Sequence, residues 1–214
     1  LDEAGDQELV QRHAWQQRRG LNVAWLSGDE VRAREPALGP AIRAALEYPE
    51  DGQVNARELA RAFSQAAAAA GARFVTGRYV RRVVIAKGAA TGVELDGETL
   101  SAGAVVVAAG SWSGLVEGGG VPATVVRPAR GQLVSIETRP PLFRHVVALR
   151  GGYLVPRRDG TVLAGSTVEI AGFRKQVTVG GLAGVPTRAR PLGPALAGAP
   201  GAGTRSDVPP GPEE

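Results

Sequence analysis

The chain of 214 residues contains no cysteine and no methionine, its only histidines are His13 and His145, and aromatic residues make up 5% of it. Without cysteine there is no disulfide framework and no thiolate nucleophile, and two histidines are too few for a histidine-based metal site. No metal is therefore expected. The sequence also lacks an apolar run of about 18 residues and lacks an export signal with a charged start and an apolar core. The expectation is a cytoplasmic protein with no membrane partner. Starting at Leu1 without any methionine, the chain reads as a fragment of a longer protein.

Charge is the next scarcity. Although the isoelectric point is about 10.1, the net charge is only +4, and 23 of the 25 basic residues are arginines spread along the chain. The basic pairs Arg18-Arg19, Arg81-Arg82 and Arg157-Arg158 lack the interleaved aromatics of a stacking platform. Nucleic-acid binding is not expected. With 43% hydrophobic residues, on the other hand, the chain has ample material for a core.

Along the chain, Asp6 to Arg19 carries Leu9, Val10 and Ala14 between charged residues, which predicts an amphipathic helix ending near Gly20. Ser27 stands three residues before Glu30, the capping-box spacing, and the helix it opens must stop before Pro36. Ala44, Leu46 and Tyr48 alternate as a strand does. Asn55 is a candidate N-cap for a helix through Leu59 and Phe63 to the alanines 66 to 70, closed by Gly71 in the left-handed conformation. Phe74 to Ile85 predicts a strand. Gly92 to Leu95 pairs with Thr99 onward across Asp96-Gly97, a two-residue hairpin signal.

That hairpin leads into Ala104 to Gly114, around which the chain is organised. Four apolar residues run into a small-residue turn and then Trp112, which predicts a buried strand whose end lets the backbone approach a ligand, or else plain core. Beyond Gly120, Thr124 to Ile136, Val146 to Leu149, Gly152 to Pro156 and Thr161 to Val168 read as antiparallel strands, the last two joined by Arg158-Asp159-Gly160. Their alternation predicts one buried and one accessible face, and the accessible face is a natural place for substrate. From Val185 the composition turns to Gly, Pro, Ala and Arg without period, and disorder is expected.

Taken together, Glu35-Pro-Ala-Leu38, Gln53-Val-Asn55, the alanine-rich helix, Val105 to Gly114, Arg127-Pro-Ala-Arg-Gly-Gln132, Gly152-Tyr-Leu-Val-Pro-Arg157, Asp159-Gly160 and Gly165-Ser-Thr-Val168 resemble the D-amino-acid oxidase family of flavoproteins. The likeness runs in order over residues 1 to 184 and is nearest to the glycine oxidase branch of thiamine biosynthesis. It implies an α/β (α+β) fold, with a partial FAD-binding α/β domain and an antiparallel-sheet substrate domain. Residues 1–52 would then be a substrate-domain segment, 53–121 the FAD-binding segment, 122–184 the substrate-domain sheet and 185–214 the disordered tail.

The resemblance further implies FAD as cofactor and a small amino acid with O2 as substrates. The chemistry would be oxidative deamination, with hydride transfer to the flavin and release of hydrogen peroxide. A homo-oligomer stays open for the intact protein. By position, Val80 matches a strand end that reaches the FAD adenine, and Ala108, Gly110 and Trp112 match the turn beside the dinucleotide. Trp112 reads equally as packing between domains. Tyr153 matches an active-site tyrosine facing substrate from the sheet, and on pattern alone it is half-buried core with its hydroxyl at the rim. Arg130 resembles a residue near the flavin, or is a solvated or bridging charge.

Two family motifs are missing from the sequence. One is the Gly-x-Gly-x-x-Gly turn for the pyrophosphate, and the other is a Gly-Leu-Arg-Pro motif whose arginine holds the substrate carboxylate. The expectation is therefore a piece that holds FAD weakly and oxidises glycine poorly by itself. Two alternatives remain: an oxidase or dehydrogenase for sarcosine or another small D-amino acid, and a non-catalytic interaction module derived from an oxidase.

Overall fold

The computed structural model describes residues 3–149, 151–189, 196, 198–207 and 210–211. Helices are α1 (Glu3–Arg18), α2 (Gly28–Arg34), α3 (Ala56–Ala69) and α4 (Val179–Ala189), with a 3-10 helix at Gly110–Leu115. Strands are β1 (Ala24–Ser27), β2 (Ala44–Glu47), β3 (Arg82–Ala86), β4 (Ala89–Glu94), β5 (Thr99–Ser101), β6 (Arg127–Pro128), β7 (Gly131–Glu137), β8 (Val147–Leu149), β9 (Gly152–Pro156), β10 (Thr161–Gly165), β11 (Gly201–Asp207) and β12 (Pro210–Gly211). They fall into two compact units. The first comprises residues 1–53, 131–167 and 176–206, and the second comprises residues 54–130, 168–175 and 207–214.

In the first unit a five-stranded sheet runs in the order β11-β7-β10-β9-β8. β10 pairs antiparallel with both β7 and β9, and β8 pairs antiparallel with β9. Alternation along β9 buries Leu154 and Pro156 and leaves Tyr153, Val155 and Arg157 half-buried. Leu154, Val162, Ala164 and Ile136 enter a core completed by Leu26, Val31, Leu38, Ile42, Phe143 and Val185. α1 and α2 accompany the β1–β2 hairpin, in which Trp25 pairs with Leu46.

The capping box forms as the spacing predicts. The Ser27 N–H donates to Glu30 Oε2 at 2.8 Å, while Ser27 Oγ accepts from the Glu30 N–H at 3.4 Å. α2 ends at Glu35, whose carboxylate is buried and accepts the N–H groups of Arg144 and His145 at 2.8 and 2.7 Å. The Glu35-Pro36 step therefore ends a helix and also anchors a loop more than a hundred residues away.

α4 lies on β7, β9 and β10 and is stapled there by Gln132, which is fully buried. Gln132 Oε1 accepts from the Thr178 N–H at 2.8 Å, and Gln132 Nε2 donates to Thr178 Oγ1 at 3.0 Å. Thr178 Oγ1 in turn accepts the Gly181 N–H at 3.1 Å, satisfying an orphan donor at the helix start.

The second unit holds α3 and the β3-β4-β5 meander. Asn55 caps α3 through the Arg57 N–H, and Gly71 adopts φ +94° after it, both as the sequence predicts. Gly97 takes φ +80° at the β4–β5 turn, where Glu94 pairs with Thr99. α3 has an apolar stripe but buries none of its residues, and Phe63 is 67% exposed.

Three expectations need correction. Ala104 to Ala109 forms no strand among the described residues, and Val106 is 88% exposed. The segment is extended, with Val105, Val107 and Ala109 half-buried and Ala104, Val106 and Ala108 exposed. An apolar run states which residues prefer burial, but a strand also needs a ladder partner, and no described residue supplies one. The strand expected over Phe74 to Ile85 is confined to β3, because its pairing with β4 starts only at Arg82.

The tail is the third. Val185 is 1% exposed inside α4, and β11 extends the sheet beside β7. The Gly, Pro and Ala composition underrated the helix because the sheet and Gln132 supply what its own propensity lacks. Of the span expected to be disordered, residues 190–195, 197, 208–209 and 212–214 lie outside the described residues. The unit boundaries also differ from those expected, with 122–130 and 168–175 falling in the same unit as α3.

Candidate active site

Two places gather the residues singled out in the sequence. The first is the accessible face of the five-stranded sheet. The cross-strand register aligns Ala148, Tyr153, Gly165 and Leu133 in one row and Val155, Leu163 and Ser135 in the next. The opposite face carries Leu154, Ala164 and Val162 and is closed by the core, whereas Leu133, Tyr153, Val155 and Leu163 on this face are half-buried. Apart from Ser135 these two rows are apolar, and the Tyr153 phenol is the polar group in its row.

The hairpin behind this row is set by its turn. Asp159 Oδ1 accepts from the Thr161 hydroxyl at 2.7 Å and from the Thr161 N–H at 2.9 Å, and Gly160 takes φ +85°. The Thr161 hydroxyl bond, then the Thr161 amide, holds the Asp159 carboxyl below the usual aspartate range. Pairing about Asp159 places residue 153 opposite 165.

The second place is an apolar groove of about 330 Å³ in the other unit, lined by Val80, Val83, Val93, Val105 to Ala109 and Val116. Val80 and Ala108, named separately from the sequence, are thus brought together on one lining. Gly110 follows directly and opens the 3-10 helix with φ +55°, while a Cβ there would meet nothing within 4 Å. Glycine suits that point because the backbone there is left-handed.

Trp112 is absent from the groove lining and stacks instead on Phe173, with ring centroids 5.3 Å apart, under the Lys175 ammonium 5.2 Å away. Lys175 also pairs with Asp207 at 3.5 Å. Arg130 is neither solvated nor part of the groove lining: its side chain, 11% exposed, makes an ion pair with Glu169, and the two backbones bridge at 2.8 and 2.9 Å. Among the described residues no cluster of His, Cys, Asp or Glu could hold a metal ion, and no helix is long and apolar enough to cross a membrane.

Sequence reasoning missed Gly165, Phe173 and Lys175. Gly165 was open to discovery, since reflecting Tyr153 through the Asp159 turn reaches it. Phe173 and Lys175 were not, because sequence spacing carries no information on which side chains meet Trp112 from sixty residues away.

The fold and these residues define a class. The family of FAD-dependent oxidoreductases matches residues 2–211, and the chain belongs to it. Among individual relatives, the chain is 32% identical over 197 residues to the glycine oxidase of Geobacillus kaustophilus, covering 90% of this chain and 51% of that protein. It is 32% identical over 180 residues to the bifunctional protein ThiO/ThiG of Synechocystis, covering 82% of this chain and 27% of that protein. The crystal structure of the Bacillus cereus glycine oxidase superposes with a TM-score of 0.90 at 30% identity, over 99% of this chain and 58% of the other. The chain thus spans about half the length, or less, of the relatives it matches.

Proposed function

We propose that this chain forms part of an FAD-dependent oxidase that deaminates glycine or a similarly small amino acid with O2, releases hydrogen peroxide, and serves thiamine biosynthesis in the cytoplasm. The observation that carries the reading is the fold-wide likeness to glycine oxidases, together with a half-buried tyrosine on the sheet face opposite the core. The unit holding the groove would contribute to FAD binding, and the unit holding the five-stranded sheet would present substrate.

The groove fits part of the cofactor. Its lining is apolar, its volume of about 330 Å³ suits a flat ring, and the outward backbone at Ala104, Val106 and Ala108 has no ladder partner among the described residues. Val80 and Ala108 would border the adenine end, with Gly110 turning the chain away. No Gly-x-Gly-x-x-Gly sequence is present to receive the pyrophosphate. When bound, FAD supplies the two-electron acceptor. Tyr153 would orient the substrate with its hydroxyl, and Leu133, Val155 and Leu163 would keep water from the floor beneath it.

The test is a chimaera in which this chain replaces the matched segment of the Geobacillus kaustophilus glycine oxidase. The expected result is a bound-flavin absorbance spectrum and peroxide release from glycine. A chimaera that binds flavin but oxidises none of glycine, sarcosine or D-alanine would refute the reading.

A further inference from the structure

We propose that Gly165 is the positioning residue for Tyr153, the side-chain-free place on β10 that lets the tyrosine ring lie down across the sheet and so fixes where its hydroxyl stands. This rests on the reading that the accessible face receives substrate. Tyr153 and Gly165 are direct cross-strand partners. A Cβ built on Gly165 would fall 2.8 Å from both Cζ and Oη of Tyr153 and 3.0 Å from its Cε2. Those distances place the far end of the ring on the glycine itself.

In an antiparallel pair the directly opposed side chains normally stand up from the sheet next to each other. Here one member has no side chain, and the ring fills its place. The next row gives no such room, because Val155 faces Leu163. Beyond Gly165 in the same row stands Leu133. Gly165 takes no left-handed φ, and what a side chain there would strike is the ring above it.

The colliding atoms in a Gly165→Ala variant are the tip of a side chain that can swing about χ1. The variant should therefore keep its fold and lose the position of the hydroxyl. This separates positioning from stability.

The chain has three tyrosines, Tyr48, Tyr79 and Tyr153, so biosynthetic labelling of the full chain with 3-fluorotyrosine gives three sets of fluorine resonances, with Tyr153 assigned from Tyr153→Phe. In Gly165→Ala the Tyr153 resonance should move by more than its linewidth while the other two stay. An unmoved Tyr153 signal overturns the proposal. Should Gly165→Ala fail to fold, removing the ring in Gly165→Ala with Tyr153→Ala should restore folding, and failure to do so also overturns it.

The link to substrate is read in the chimaeric oxidase. There Tyr153→Phe and Gly165→Ala should each lower kcat/KM for glycine by about tenfold, the loss of one hydrogen bond, and the double variant should be no worse than Tyr153→Phe. Multiplying losses would mean that Gly165 does not act through Tyr153, which overturns the proposal. A Tyr153→Phe variant with unchanged kinetics would instead remove the assignment of this face to substrate, while the fluorine result would still decide the positioning.

Discussion

Gln132 is the residue whose removal should cost the first unit most for its size. It is fully buried, and its amide makes a donor and an acceptor bond to Thr178, at the start of α4. Gln132→Ala deletes both bonds, at about 1 kcal/mol each net, and opens a space of four heavy atoms in a closed interior, worth about another 1–2 kcal/mol. The sum is about 3–4 kcal/mol, and the Thr178 N–H, left beside a cavity, holds it to the upper part of that range. For a chain of this size that is a fall in melting temperature of about 10 °C. Urea unfolding followed by far-ultraviolet circular dichroism measures it. Hydrogen exchange localises it, because the Gly181 N–H bonds to Thr178 Oγ1 and should lose protection first. Gln132→Leu, which refills the space without the bonds, should recover part of the loss. A cost below about 1 kcal/mol for Gln132→Ala, or unchanged exchange at Gly181, would refute the claim that this amide staples α4 to the sheet.

Other outcomes follow from the same structure. The Glu30 carboxyl is held below its ordinary range first by the Ser27 backbone N–H and then by the Ser27 hydroxyl. A carboxyl depressed on folding stabilises the fold above its unfolded pKa and loses that contribution as pH falls through the folded one, so Glu30→Gln should flatten the acid side of the stability profile. Urea midpoints between about pH 5 and pH 3 decide it, and an unchanged slope would count against the capping box as an electrostatic contributor. Gly92 and Gly97 should differ in tolerance. Alanine at Gly97, with φ +80° and open space around it, should cost about 1 kcal/mol, whereas at Gly92 a Cβ strikes the Leu100 carbonyl and backbone must move, at least doubling the cost in thermal melts. Val106→Lys should leave the melting temperature unchanged in thermal melts, because Val106 is 88% exposed.

Local chemistry was legible from the residues alone wherever the partners are close in sequence. The Ser27–Glu30 box, the Asn55 cap, the left-handed Gly71 and the Asp96-Gly97 turn each involve groups within a few residues, so side-chain chemistry decides them without reference to the rest of the fold. The strands β8, β9 and β10 were legible too, since alternation and the Asp159-Gly160 turn lie in one short stretch. The half-buried place of Tyr153 on β9 followed from that alternation, and a role toward substrate is what the family likeness implies. The boundaries of the tail were not legible, because Val185 is buried by strands that lie about twenty to fifty residues before it.

What the sequence by itself determined is therefore the family, the local caps and turns, and the existence of an open face on an antiparallel sheet. Tertiary structure alone decided what meets what. It set Gly165 beneath the Tyr153 ring, Phe173 and Lys175 on Trp112, and Glu169 on Arg130, and it left the expected buried strand at Ala104–Ala109 an extended segment with alternate residues exposed. The physical reason is common to all four. Burial and pairing are properties of two surfaces, and a residue pattern specifies only one of them.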